Sequence, residues 1–239
     1  TDGDNTAFEG QEGDYIASDG KTTFWDASST SAHHHNVAAI ARDDDAGLNQ
    51  KQSKSVNSDA IVTIGLDNDK NGLESNNHLN TNSFTTDIMS LVWGHDNEAM
   101  SDRAKNIDYD PSQVSSRLNR EWRVRETSTL GTVTVQFDIS NILGPTGVGT
   151  NDESDIVLLV DADGDFSSGA SEVYQSFETP GDGLVNFRVD FSNGDHFTLG
   201  SAEYLALPIT LASFSGKSTK DGVQLKWTTA NEDNNSLFR

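Results

Sequence analysis

Apolar and polar residues alternate at period two along much of this chain, the spacing of strands with one covered face. In TVTVQFDIS (132–140), Val133, Val135, Phe137 and Ile139 fall on one face. In RLNREWRVRETSTLG (117–131), Trp122, Val124 and Glu126 fall on one face and Arg123, Arg125 and Thr127 on the other. FTTDIMSLVWG (84–94) places Met89, Leu91 and Trp93 together, and AIVTIGL and VAAIA (37–41) add two more strands. IVLLV (156–160) is apolar throughout, which predicts a strand covered on both faces. EVYQSFE, GLVNFRVDF and HFTLGSAE complete the set before residue 205.

Turn residues separate these stretches. Ser18-Asp19-Gly20 predicts a hairpin with Phe24 and Trp25 near the core. Thr129-Leu130-Gly131 predicts a hairpin between 117–131 and 132–140, and Asn193-Gly194 is the strongest hairpin signal of all. The expected fold is all-β, an antiparallel β-sandwich of jelly-roll or immunoglobulin-like type over residues 15–204. Residues 1–14, acidic and Gly-rich, predict a flexible arm. From 205 a Pro leads into ITLASFSGKS, and an Asp221-Gly222 turn leads to VQLKWTT. That is the opening of a second sandwich, and two strands cannot bury a core alone. Strand addition to another copy, giving a fibre, is one way such strands complete themselves.

Composition narrows the partners. A formal net charge of −22 repels nucleic acid and anionic membranes and suits divalent cations. No apolar run approaches the roughly 20 residues of a membrane-spanning helix, so no membrane insertion is expected. The chain has no cysteine, which excludes disulfides, thiolate metal sites and cysteine catalysis. The opening TDGDNTAFEGQEGDY is polar and does not read as a signal peptide.

Candidate chemistry lies in the acidic loops. IVLLV runs into DADGDFSSGASE, with Asp161, Asp163 and Asp165 at loop positions 1, 3 and 5 and Glu172 at position 12. Ca²⁺ takes six to eight oxygens, and carboxylates at this spacing are one way to supply them. Gly164 falls at position 4 rather than 6, and strands flank the loop, so the expectation is an inter-strand calcium loop and not an EF-hand. A second loop, DNDKNGLE, offers Asp67, Asp69 and Asn71 with Gly72 at position 6, while position 12 is His78. An ordinary Asn/Asp/Gly turn accounts for this loop equally well. Asp43, Asp44 and Asp45 could cap a turn, pair with Arg42 or bind calcium. His33, His34 and His35 are consecutive, so at most two could share a ligand set if they lie in a strand; a polar loop is the simpler reading. The arginines between 117 and 125 are expected to pair with neighbouring carboxylates. No GxSxG, HExxH or phosphate loop is present, and a carboxylate pair arises by chance among 38 acidic residues, so no enzyme is expected.

Two resemblances add to this reading. YIASDGKTTFWDASSTSAHHHNVAAIARDDDAGLNQKQSKSV, VTIGL, FTTDIMSLVWGHDN, RLNREWRVRET and LLVDADGDFS together resemble a β-rich domain of undefined function repeated in large secreted surface proteins of Bacteroidota and marine bacteria. LPITLASFSGKSTKDGVQLKWTTANEDNNS resembles the start of the fibronectin-III-like module of type IX secretion cargo. The resemblance implies export, an extracellular cell-surface location and a multimodular parent, and no activity. The expected function is a calcium-stabilised structural or adhesive module. Its expected partners are other copies or neighbouring modules of the same surface protein. The alternative is a carbohydrate-binding module that stacks glycans on Trp25, Trp93, Trp122 or Trp227.

Overall fold

The computed structural model describes residues 13–67, 72–101, 114, 116–142, 153–175, 183–201, 210–219 and 222–231. The chain divides into two compact units, Thr1–Glu203 and Tyr204–Arg239. Among the described residues of the first unit, regular structure is strands joined by loops and single 3-10 turns.

These strands are β1 (Tyr15–Ile16), β2 (Thr23–Trp25), β3 (His35–Asp43), β4 (Leu48–Gln50), β5 (Gln52–Lys54), β6 (Val62–Leu66) and β7 (Met89–His95). They continue with β8 (Ser116–Arg117), β9 (Trp122–Glu126), β10 (Val133–Asp138), β11 (Ile156–Asp161), β12 (Ser171–Val173), β13 (Leu184–Val189) and β14 (His196–Ser201). A four-stranded sheet has the order β13-β10-β6-β5. A larger sheet runs β12-β11-β14-β9-β7-β3-β4, with β8 also paired to β14. Every pairing in both is antiparallel.

The two sheets enclose one core, as the alternating pattern requires of an antiparallel sandwich. Ile64, Val135, Phe137 and Phe187 of the small sheet are fully buried in the same cluster as Ile40, Leu91, Trp93, Trp122 and Phe197 of the large one. Phe137 stands edge-on to Trp122 at 5.5 Å and to Phe187 at 6.1 Å, contacts worth about 0.5–1.5 kcal/mol each beyond their buried area.

The large sheet is also covered on parts of its outer face. The β1–β2 hairpin lies there, with Phe24 and Trp25 packed on Ala41 and Val92. Farther along, Phe166 packs on Val157 and Leu159. This second cover explains the unbroken apolar run of β11, where Ile156 and Leu158 face the main core and Val157 and Leu159 face outward.

Two expected hairpins are instead crossovers between the sheets. β9 lies between β14 and β7 in the large sheet, while β10 lies between β13 and β6 in the small one. The connecting turn is bound to β7, where the Ser90 amide donates to Thr127 Oγ1 at 2.9 Å and the Thr127 amide to the Ser90 carbonyl at 3.1 Å. Likewise β13 and β14 belong to different sheets, although Gly194 makes the expected turn with φ +98. There Asn193 Oδ1 accepts from the Glu126 amide at 3.0 Å, and the Gly194 amide donates to the Val124 carbonyl at 3.2 Å, so β9 claims the turn. A turn motif fixes chain reversal. It does not decide whether its arms share a hydrogen-bond ladder or face each other across a core. The strand expected over 84–94 begins only at Met89, because Ile88 takes φ 52, where extended backbone ends.

In the second unit, β15 (Thr210–Thr219) and β16 (Gly222–Asn231) pair antiparallel as a two-stranded sheet.

Candidate functional site

The outer face of the large sheet carries a polar row set by strand register. Asp161 of β11 pairs with His196 of β14, His196 with Arg123 of β9, and Arg123 with Gly94 of β7. Paired residues in antiparallel strands project to the same side. Phe197 and Val124 alternate with this row and point into the core. Gly94 leaves room for a turn to settle on the sheet, since a Cβ there would lie 2.2 Å from the His33 carbonyl oxygen.

That turn is the 3-10 turn Ser31–His33. Asp26 builds it: its carboxylate accepts from the Ser28 and Ser29 amides at 3.0 and 3.1 Å, and its carbonyl accepts from Thr30 Oγ1 at 2.6 Å. His33 is thereby buried, with its ring edge-on to His196 at 4.8 Å. The other two histidines of the run diverge from it: His34 stacks on His35 at 4.5 Å, and His35 on His95 at 5.8 Å.

Glu121 reaches the same place. One ligand atom each from His33, Glu121 and His196 lies within 4.8 Å of the others. Arg117 pairs with Glu121 at 2.9 Å and lies 4.6 Å over the Phe166 ring, itself buried. Burial holds the His33 imidazole down to about 4, with the Arg123 and His34 charges adding to it. Burial likewise holds His196 to about 4, helped by His33 and Arg123, while Asp161 and Asp163 pull the other way.

The acidic loop lies over His196: a Cβ added at Gly164 would meet that ring. Its carboxylates form consecutive turns. Asp161 Oδ1 accepts from the Asp163 and Gly164 amides at 2.9 and 2.6 Å. Asp163 Oδ1 accepts from the Asp165 amide at 2.9 Å, and Asp165 Oδ1 accepts from Ser167 through amide and hydroxyl. The Ser167 hydroxyl, then its amide, hold the Asp165 carboxyl below its ordinary range. Glu172 pairs with Leu159 in register, so it projects to the same outer face as Asp161. Its Oε2 accepts from the Tyr174 hydroxyl, while Oε1 is buried without a hydrogen-bond partner. Asp161 and Glu172 thus share a face, and Asp163 and Asp165 shape the loop between them. Among the described residues, however, the histidine–glutamate set is the one with three metal-ligating side chains drawn together.

Asp67 sits elsewhere, at the end of β6. Arg188 of β13 meets it through Nε at 3.1 Å to both carboxylate oxygens and through Nη2, and Thr134 Oγ1 donates at 3.3 Å. Asp69 and Asn71 lie outside the described residues. Asp43 caps a turn through the Ala46 amide and holds Ser18, while Asp44 pairs with Arg42 at 2.7 Å. Three of the four arginines near 120 meet carboxylates: Arg117 on Glu121, Arg120 on Asp59 and Arg125 on Asp26. Arg123 instead donates to the Ser29 carbonyl at 2.6 Å. Trp25, Trp93 and Trp122 are 1–3 % exposed and present no ring face to a sugar; the Trp227 side chain lies outside the described set.

Sequence reasoning missed Glu121 and His196. Glu121 immediately precedes β9 and His196 opens β14, and only the β14–β9 register makes them neighbours of His33.

No helix among the described residues is long and apolar enough to cross a membrane. No curated protein and no solved structure matches the chain. Residues 5–195 match the model of a domain of unknown function, DUF8202, and the chain belongs to that family.

Proposed function

We propose that this chain is a calcium-stabilised structural or adhesive module of a secreted bacterial cell-surface protein. The observation that carries the reading is the loop from Asp161 to Glu172. Its Oδ1 atoms are spent on backbone turns, and Phe166 fastens it to the outer sheet face. Glu172 Oε1 is buried beside it without a hydrogen-bond partner. A Ca²⁺ ion bound by the remaining carboxylate oxygens would tie β11, the loop and β12 into one unit. Because the ion binds the folded form, it would raise stability by mass action. The net charge of −22 adds a second reason for a cation, since it offsets self-repulsion.

Display at the cell surface, beside other copies or neighbouring modules, follows from the resemblance. It also fits a cysteine-free sandwich that relies on its core and on ions for rigidity. A thermal melt with Ca²⁺ and with a calcium chelator tests the proposal. The midpoint is expected to fall on chelation in the parent chain and to become indifferent to chelator in Asp161→Asn. Equal midpoints in the parent chain overturn the calcium reading.

A further inference from the structure

We propose that His33, Glu121 and His196 form a second cation site, selective for a borderline divalent ion of the Zn²⁺ class and separate from the calcium loop. One ligand atom from each residue already lies within 4.8 Å of the others. A tetrahedral Zn²⁺ with bonds of about 2.0–2.1 Å holds its ligands roughly 3.4 Å apart. Binding would draw the three ligand atoms together by about 1.4 Å, and the two imidazoles already stand edge-on to each other.

The donor set chooses the metal. Two imidazoles and one carboxylate suit Zn²⁺, whereas Ca²⁺ demands six to eight oxygens. Three protein ligands leave a fourth tetrahedral position for water.

A separate observation points to a ligand. His196 Nδ1 is buried and makes no hydrogen bond. A buried polar atom without a partner is costly, and coordination would satisfy it.

The surroundings are those of a supported site. Arg117 orients Glu121 at 2.9 Å and is fixed in turn over Phe166. Such outer contacts hold first ligands in place. Arg123 opposes a cation here, since its charge reaches both rings, while Asp161 and Asp163 act on His196 with the opposite sign. The ligands come from the Ser31–His33 turn, the approach to β9, and β14. An ion would therefore pin the histidine turn to the sheet face.

The test is ZnCl₂ titration of chelator-treated full-length chain by calorimetry, with thermal melts beside it. One ion per chain is expected, with a midpoint rise of roughly 5 °C or more at a hundredfold excess over Kd. His33→Asn and His196→Asn should each weaken binding at least tenfold. Glu172→Gln, at the far end of the calcium loop and not among the charges that act on either ring, should leave zinc affinity within about threefold, which keeps failure of the two sites distinguishable. CoCl₂ gives a readout that needs no variant: intense visible absorption, as four-coordinate cobalt shows, is expected in the parent chain. Weak octahedral absorption, no saturable binding, or zinc affinity unchanged in His196→Asn, which would assign the ion to surface imidazoles such as His34, each overturns the proposal.

Discussion

Gly164 stands against the ring of His196: a Cβ at residue 164 would lie 2.8 Å from His196 Nδ1. The acidic loop and the histidine pair are therefore mechanically joined. Gly164 also has φ +84, a conformation that costs an L-residue about 1–2 kcal/mol. Gly164→Ala should lose that amount and a further ~1 kcal/mol for the forced shift of the ring. Gly20→Ala, at φ +65 with nothing within 4 Å, should lose the backbone part alone. Urea unfolding of both variants measures the difference, and equal losses would show that the ring contact carries no energy.

Gly94→Ala probes the other side of the site. Its Cβ would meet the His33 carbonyl oxygen at 2.2 Å, and that atom is backbone, so the whole Ser31–His33 turn must move. The expected cost is about 1–3 kcal/mol, as for other overpacked positions. The His33–His196 contact should be lost with it, visible as a changed His33 ring signal in NMR. A variant with unchanged stability and unchanged ring signals contradicts this placement.

His95 predicts an acid-sensitive core. It is 2 % exposed, its Nδ1 accepts from the Asn97 amide at 2.9 Å, and its Nε2 is buried without a partner. Burial, then the charges of Arg120, His35 and His33, hold it down to about 3 against 6.5 unfolded. Between those values the unfolded chain carries the proton and the folded chain does not. Stability therefore rises with pH across this window and is lost on acidification below about 6.5, by at most ~1.4 kcal/mol per pH unit from this one group. His95→Gln should flatten the pH dependence of the unfolding free energy between pH 6 and 4. An unchanged slope would show that His95 is not the group responsible.

Arg188 and Asp67 should be coupled. The Asp67 side chain is 12 % exposed and Arg188 38 %, and the pair bridges β13 and the end of β6 across the intervening β10. Solvent at Arg188 limits the interaction, so a double-mutant cycle with Arg188→Ala and Asp67→Asn should give about 1 kcal/mol. A coupling near zero would mean that the pair carries no net energy in solution.

The sandwich was legible in the chain because alternation at Val133, Val135, Phe137 and Ile139, and the run Ile156–Val160, follow from the period of a strand and the cost of exposing apolar surface. The β1–β2 hairpin was legible for the same local reason: Ser18-Asp19-Gly20 closes it within a few residues. Asp161, Asp163, Asp165 and Glu172 were legible as one loop because they are neighbours in sequence.

Register and sheet membership were decided by tertiary structure. Asn193-Gly194 and Thr129-Leu130-Gly131 turn the chain as their residues require, yet the partners that claim them, Glu126 and Ser90, lie on other strands. Pairing of distant strands depends on which apolar faces close the core together, and no local pattern encodes that. His33, Glu121 and His196 are far apart along the chain and meet only through the pairing of β14 with β9 and the absence of a side chain at Gly94.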